Sequence, residues 1–364
     1  MFETIPFETL RPIGLTGAVV QQLAALAPAT EADRGTLMRV TELQRESLAL
    51  HDGEHEHAAR QLPALRAELT AAGDTLAVGD WVLARRNALG EWWVHARVPP
   101  LNQLARRLHD GRDKVERVVI VSNVDTALLV MGVTEDFSPR RLERYVALVR
   151  LAGVGAVVVL TKRDLAVPAL VEQRLAQVRA LLPADVPAVA VDATGDEPRQ
   201  ALAPWLEPGR TLVMLGTSGA GKSTLTNALL GDAVQATGGN RRGDGRGRHT
   251  TTARSLHVVG GGACVIDTPG LRTLRLDGDE QRLGAVFEDI ASLAQQCRFR
   301  DCRHEGEPGC AVREGVPAER LRNFHKLPRE AERDTLSVRE RKARVAQWKV
   351  RSKAARARLH AKRS

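Results

Sequence analysis

The 364-residue sequence is poor in aromatic side chains, which make up 3% of it, and holds only four cysteines. So few rings exclude a nucleic-acid reader that works mainly by stacking bases on them. Three of the four cysteines fall between Cys297 and Cys310, so they cannot staple a chain of this length, and a reducing compartment such as the cytoplasm fits their use. No run approaches the ~18 uninterrupted apolar residues of a membrane span, and the opening MFETIPFETLRP lacks the regions of a signal peptide. The expectation is a cytoplasmic protein with no membrane partner. An acidic excess is also missing, since 53 Lys and Arg face 44 Asp and Glu, a net charge of +9. Residues 335–364 hold eleven Lys and Arg against one acid, Glu340, or +10, which leaves the first 334 residues at −1. The basic character belongs to a tail. Without Pro or Gly, that tail suits a helix formed when phosphates neutralise its repulsion, and RNA is its natural ligand; the alternative is a solvated arm.

At about 150 residues per domain, the length suggests two or three domains. Residues 1–112 carry short alternating apolar stretches (GTLMRVTELQ, SLALHDG, EWWVHARV) broken at Asp52-Gly53 and Leu89-Gly90, the texture of a small β domain. Ahead of it, GAVVQQLAALAP reads as a short helix ending near Pro28. Residues 113–283 read as an α/β domain: from Val118 the runs VVIVS, TALLVMGV, GAVVVL, VPAVAV and TLVML alternate with helical stretches such as SPRRLERYVALVRLAG, as parallel strands buried on both faces do. The segment TGGNRRGDGRGRH at 237–249 has five glycines and four arginines, a composition expected to become ordered on a ligand. Residues 284–334 form a cysteine-bearing unit ahead of the basic tail at 335–364.

Chemistry concentrates at the strand ends. Gly216, Thr217, Ser218, Gly219, Ala220, Gly221, Lys222 and Ser223 satisfy G-x-x-x-x-G-K-[ST] between the strand TLVML and a helix continuing through Thr224. Glycine lets backbone NH groups wrap phosphates, Lys222 brings charge to the outer ones, and the Ser223 hydroxyl suits Mg²⁺. This says nucleoside triphosphate without naming the base. Thr161, Lys162 and Asp164 form TKRD after GAVVVL, similar to the guanine motif of GTPases: Asp164 accepts the N1 and N2 hydrogens that adenine does not offer, and the Lys162 stem covers the ring. Val191–Gly195 resembles the loop whose backbone NH, here that of Ala193, meets guanine O6, with Asp192 where serine is usual. DTPG at Asp267–Gly270 matches DxxG, in which Asp267 reaches Mg²⁺ through water and the Gly270 NH meets the γ-phosphate. In GRHTTT, Thr251 is the preferred Mg²⁺ ligand, with Thr250 and Thr252 open as alternatives. Leu271 stands where many GTPases carry the glutamine that orients water, so slow intrinsic turnover is expected. His249 is the candidate to place or deprotonate that water, unless it is a surface or RNA-contacting group, and Lys222, through its charge on the outer phosphates, is the other catalytic candidate.

The order of these motifs is unusual. TKRD begins 55 residues before the phosphate loop and DTPG 51 residues after its start, the reverse of small GTPases, so the domain is circularly permuted. Cys297-x4-Cys302-x-His304-x5-Cys310 offers three thiolates and one imidazole, enough to close a tetrahedral Zn²⁺ shell. Its spacing departs from the common C-x2-C fingers, leaving reduced thiols beside a surface histidine as the alternative and zinc not separated from iron. Cys264, alone in a buried-looking strand, reads as a small core hydrophobe.

With GDWV at 79–82, LNQLARR at 101–107, SNVDTALLV at 122–130, RRLERY at 140–145, GRHTTT and the Cys/His cluster, the chain resembles the ribosome small-subunit-dependent GTPase A family over nearly its whole length. The resemblance implies an N-terminal OB-fold β-barrel, a permuted P-loop GTPase domain and a mainly α zinc-binding domain with a basic helical tail. It also implies GTP/GDP and Mg²⁺ as ligands with one Zn²⁺ per chain, and a monomer that assists late maturation of the 30S subunit. On that reading the GTP form engages 16S rRNA and 30S-stimulated hydrolysis releases it. Two other classes remain open: a nucleotide-dependent RNA-binding module with incidental turnover, and a P-loop kinase or ATPase in which TKRD is accidental. Permutation also runs the chain from DTPG into the metal cluster, so movement around 268–283 is expected to reach the zinc domain directly.

Overall fold

The computed structural model describes residues 5–26, 35–44, 47–109, 115–231, 254–268 and 287–335. A helical turn α1 (Phe7–Leu10) precedes α2 (Gly17–Ala25), whose N-terminus is capped by the Thr16 hydroxyl accepting from Val19 N. Next come β1 (Thr36–Leu43), β2 (Leu48–His51), β3 (Glu56–Gln61), α3 (Pro63–Ala71), β4 (Trp81–Arg86) and β5 (Trp92–Arg97). The strands run in the order β1-β2-β3-β5-β4 and close through β1–β4, with only β3–β5 parallel among these pairings. Closure leaves no free edge, and alternate residues fill the interior: Met38, Val40, Leu50, Val82 and Val94 are fully buried. Leu65 and Leu69 of α3 pack into this cluster. This is the five-stranded barrel that the family resemblance implied. Its helix was not anticipated; Pro63 at the first turn and leucines four apart were the available signal.

One strand departs from expectation. VVIVS lies in β7 (Val115–Ser122), which pairs antiparallel with β6 (Gln103–His109) in a separate two-stranded ribbon and does not join the parallel sheet. Val119, Ile120 and Val121 are all buried, because the ribbon is enclosed between barrel and GTPase domain, bridged to the barrel at Val78–Val121. A continuous apolar run reports burial on both faces and not which sheet provides it. The ribbon straddles residues 112 and 113.

The GTPase domain contains β8 (Thr126–Gly132), α4 (Pro139–Leu151), β9 (Gly155–Thr161), α5 (Pro168–Leu181), β10 (Ala188–Ala190), α6 (Glu197–Leu202), β11 (Thr211–Leu215), α7 (Lys222–Leu230), β12 (Ser255–Val259) and β13 (Ala263–Asp267). Its order is β10-β9-β8-β11-β13-β12, parallel except for β12, which runs antiparallel to β13. The period of two divides the β-branched runs between two cores. Leu128, Val130, Val157, Val159, Leu212 and Met214 join Leu225 and Leu229 of α7. On the other face Leu129, Met131, Val158, Leu160, Val213 and Leu215 join Tyr145, Val146 and Val149 of α4.

Barrel and GTPase sheet meet where β1 pairs with β12 at Glu42 and Ser255. At this seam the fully buried Arg39 donates to the carbonyls of Ile13, Gly79 and Asn123. Gly79 of GDWV is required here: a Cβ would sit 2.2 Å from the Ser122 carbonyl oxygen, and φ is +93°. Cys264, expected as a small core hydrophobe, is buried beside Arg39; burial raises its thiol pKa, against the pull of the guanidinium. The C-terminal unit comprises α8 (Glu288–Ala294), α9 (Ala311–Gly315) and α10 (Ala318–Thr335). Among the described residues no helix is long and apolar enough to cross a membrane.

Candidate nucleotide site and metal cluster

Parallel strands place their following loops at one sheet edge, where α/β folds bind ligands. Here the carboxyl ends of β8, β9, β10, β11 and β13 share that edge, where TKRD begins at the end of β9, the phosphate loop follows β11, and Asp267 and Thr268 of DTPG close β13. Permutation has changed the connections and kept the placement. The phosphate loop passes so close to β8 that a Cβ on Gly216 would lie 2.4 Å from the Val130 carbonyl oxygen, while Gly219 and Gly221 take φ of +82° and +90°. Ser218 and Gly219 are exposed at the mouth, Ala220 is buried, and Ser223 and Thr224 in the first turn of α7 are half-buried.

Lys222 folds back along the loop, its Nζ donating to the carbonyls of Gly216 (3.0 Å) and Thr217 (2.8 Å). An ammonium has three hydrogens, so one is left for a phosphate. Burial lowers the pKa of Lys222, and the nearby carboxylates Asp267 and Asp136 oppose that shift. Asp267 ends β13 fully buried, and the Thr268 hydroxyl donates to the Met214 carbonyl at 2.7 Å, fixing the start of DTPG to the strand beneath the phosphate loop.

In TKRD the Thr161 hydroxyl is turned inward and donates to the Ala220 carbonyl at 2.6 Å, tying this segment to the phosphate loop. Lys162 takes a left-handed conformation (φ +61°), and its Cδ lies 3.6 Å from the Cβ position of Gly132 on the neighbouring strand. Asp164 follows on an exposed 3-10 turn. Beside it, Asp192 Oδ1 accepts from the Thr194 hydroxyl and backbone NH (2.7 and 2.8 Å), which lowers its pKa. The aspartate thus supplies the turn-capping acceptor where serine is usual, and Ala193 lies buried within that turn. Arg163 pairs with Glu197 at 2.8 Å, and Glu197 accepts from Asp192 N at 3.0 Å, so the loops after β9 and β10 are cross-braced.

Sequence reasoning missed Asp136 and Arg141. Asp136, in the loop after β8, accepts from the Thr217 hydroxyl (2.9 Å) and from Arg141 Nη1 (2.6 Å). The rule that every loop at this edge lines the site could have found Asp136, since TED follows TALLVMGV directly, whereas Arg141 lies in the first turn of α4. His249, Thr250, Thr251, Thr252, Gly270 and Leu271, with the segments 237–249 and 269–283 and the tail beyond Thr335, lie outside the described residues.

Cys297, Cys302, His304 and Cys310 bring their ligand atoms within 4.8 Å of one another. Cys297 Sγ lies 3.9 Å from Cys310 Sγ and 3.6 Å from His304 Nδ1, and His304 Nδ1 lies 3.3 Å from Cys310 Sγ. A zinc tetrahedron with ~2.3 Å sulfur and ~2.0 Å nitrogen arms has edges of about 3.8 and about 3.5 Å, so these separations fit one ion. Burial first, then the neighbouring Cys310 and Cys297 sulfurs, push Cys302 up to about 11, while hydrogen bonds, the Val312 NH first, draw Cys297 down, so the negative charge is held unevenly. A cation at the centre removes that imbalance.

The RsgA GTPase family model matches residues 99–277. A relative from Xylella fastidiosa (strain M23) named small ribosomal subunit biogenesis GTPase RsgA is 45% identical over 271 residues, covering 73% of this chain and 79% of that protein. One of the same name from Xanthomonas axonopodis pv. citri (strain 306) is 40% identical over 90% of each chain. Among solved structures, YjeQ from Thermotoga maritima superposes with a TM-score of 0.58 at 23% identity, covering 81% of this chain and 98% of that one. YloQ, described as a circularly permuted GTPase, gives 0.54 at 23% over 81% and 94%.

Proposed function

The chain belongs to the RsgA GTPase family, and from that footing we propose that this GTPase acts in biogenesis of the small ribosomal subunit, binding 16S rRNA within the immature 30S particle as the GTP form and leaving on particle-stimulated hydrolysis. The observation that carries the reading is the single sheet edge that gathers the phosphate loop, TKRD and the Asp267-Thr268 start of DTPG in permuted chain order. Gly216–Ser223 hold the phosphates, with Lys222 on the outer ones; Ser223 and Thr251 hold Mg²⁺; Asp164, Lys162 and the Ala193 NH read guanine. Asp267 and Gly270 report the γ-phosphate. His249 positions the attacking water in place of the absent glutamine, so turnover by the isolated protein is slow and the particle completes the site. The Cys/His cluster holds one structural Zn²⁺.

We assign residues 1–112 to the barrel unit, 113–283 to the permuted GTPase domain, 284–334 to the zinc domain and 335–364 to a basic RNA-binding arm on a cytoplasmic monomer. Removing the arm weakens subunit binding and its salt dependence and leaves GTP affinity nearly unchanged. The deciding experiment measures GTP turnover with and without purified 30S particles, with ATP as competitor. Stimulation of about a hundredfold or more is expected. Its absence would favour an RNA-binding module with incidental turnover, and equal competition by ATP would remove the guanine assignment.

A further inference from the structure

Thr217 is held from both ends. Its carbonyl accepts from Lys222 Nζ at 2.8 Å, and its hydroxyl donates to Asp136 at 2.9 Å to one carboxylate oxygen and 3.1 Å to the other. Asp136 also takes Arg141 Nη1 at 2.6 Å and Gly132 N at 3.4 Å, and Arg141 Nη1 lies 3.3 Å from the Thr217 hydroxyl. Arg141 belongs to the first turn of α4. Two residues on, Glu143 is buried and faces the other way, accepting from Arg320 Nη1 and from Asn323 Nδ2 of α10. Arg320 is anchored in turn by a two-pronged bond to Asp289 of α8 (2.6 and 2.7 Å) and by donation to the Leu181 carbonyl at 2.9 Å. Arg141 and Glu143 are separated by only about 3 Å along the helix axis, so the start of α4 is gripped by the phosphate loop on one side and the zinc-bearing unit on the other.

A terminal phosphate bound at Lys222 brings negative charge toward Asp136, whose field already reaches that ammonium. Its loss on hydrolysis relieves the repulsion, which gives the two nucleotide states different interaction energies with one side chain. We propose that Asp136 is a positioning residue for GTP turnover, acting through Thr217 on Lys222, and that the first turns of α4 carry the occupancy of the terminal-phosphate position to the zinc-binding domain through the Glu143–Arg320 pair. This route is separate from the chain connection through residues 268–283. It rests on Gly216–Ser223 being the phosphate site.

The test uses the full-length, metal-loaded protein with GDP or a non-hydrolysable GTP analogue, and reads hydrogen exchange along residues 318–327 of α10 together with steady-state GTP turnover. The wild type is expected to show protection of α10 that differs about tenfold between the nucleotides. Asp136→Asn preserves shape and an acceptor for Thr217. It should abolish that difference and lower kcat about tenfold while KM moves less than about threefold. Asp136→Glu should restore both. Glu143→Gln should abolish the α10 difference from the other end; the double variant Glu143→Gln/Arg320→Met should behave the same, which separates loss of the link from a buried arginine left without its partner. Metal content of one ion per chain verifies folding of each variant. An α10 difference that is missing in the wild type or survives Asp136→Asn overturns the proposal, as does a kcat loss that Asp136→Glu fails to rescue. If Lys222→Ala leaves GTP affinity unchanged, the phosphate-site assignment itself fails, which is a distinguishable result.

Discussion

The phosphate loop and the Cys/His cluster are both short contiguous motifs, yet different forces hold them. The loop sits on fully buried Met214 and Leu215 and is braced by residues remote in sequence: Thr161 on Ala220, Asp136 on Thr217, Thr268 on Met214. Its shape is set by contacts from the surrounding scaffold. The cluster draws all four ligands from Cys297 to Cys310, between helices of seven and five residues, each too short to persist alone. A metal ion bound there would complete the structure. A binding site can be pre-organised by a scaffold or assembled by what it binds, and the two regions of this chain suit one strategy each.

The largest predicted effect follows from that contrast. Removing zinc with a chelator, or Cys310→Ser, should release helicity and hydrogen-exchange protection across 287–335, because a structural zinc site carries apparent binding energy on the order of 10 kcal/mol. GTP affinity should stay within about threefold, apart from the coupling through α4. Global unfolding on chelation would mean that the cluster also supports the sheet. Lys222→Ala is the converse. It should cost about a hundredfold in kcat and leave metal content at one ion per chain; a joint loss of zinc would erase the distinction between the two sites.

Acidity should sharpen the comparison further, since the two regions respond with opposite sign. Falling pH protonates the zinc ligands and releases the ion, so stability of the cluster unit is lost. The seam that supports the sheet contains Asp80, fully buried with Oδ2 accepting from Ala77 N at 2.8 Å. Burial pushes its pKa up to about 6 from 3.8, despite that NH, Arg97 and Ser122. A carboxyl that holds its proton more tightly when folded contributes stability below its unfolded pKa of 3.8 and loses it as pH rises through about 6. The shift corresponds to about 3 kcal/mol. Chemical denaturation of wild type and Asp80→Asn between pH 4 and 7 checks this. The wild type should carry an extra loss of stability on going to pH 7, and the variant should lack it.

Why some of this was legible and some was not follows from the same division. TALLVMGV, GAVVVL and TLVML are recognisable because a strand buried on both faces must be apolar throughout, and they cover β8, β11 and all of β9 but Thr161, while VPAVAV holds the half-buried end strand β10. VVIVS satisfied the same rule inside a different sheet. Phosphate and metal motifs have fixed spacing because their atoms converge on one ligand from neighbouring positions. Asp136, Arg141 and Glu143 have no such spacing. Their partners, Thr217 and Arg320, lie 81, 76 and 177 residues away, and only the folded chain brings them together.

The smallest effect tests whether the loop is truly held by its scaffold. Thr161→Val keeps the volume of a fully buried side chain and deletes the hydroxyl that donates to the Ala220 carbonyl. That oxygen is left in a dry environment, at a cost of about 1–3 kcal/mol. The Cβ position of Gly221 lies 3.1 Å from the Thr161 Oγ1, so the valine methyl that replaces it meets the loop where it turns into α7. The expected outcome is a drop in melting temperature of a few degrees with a modest loss of GDP affinity, both recovered in Thr161→Ser, and no change in zinc content. Serine rescue matters because it restores the bond without the methyl, separating the hydrogen bond from packing. If valine instead left stability and affinity unchanged, the loop would owe its shape to its own glycines, and the contrast with the metal-built cluster would rest on the other braces alone.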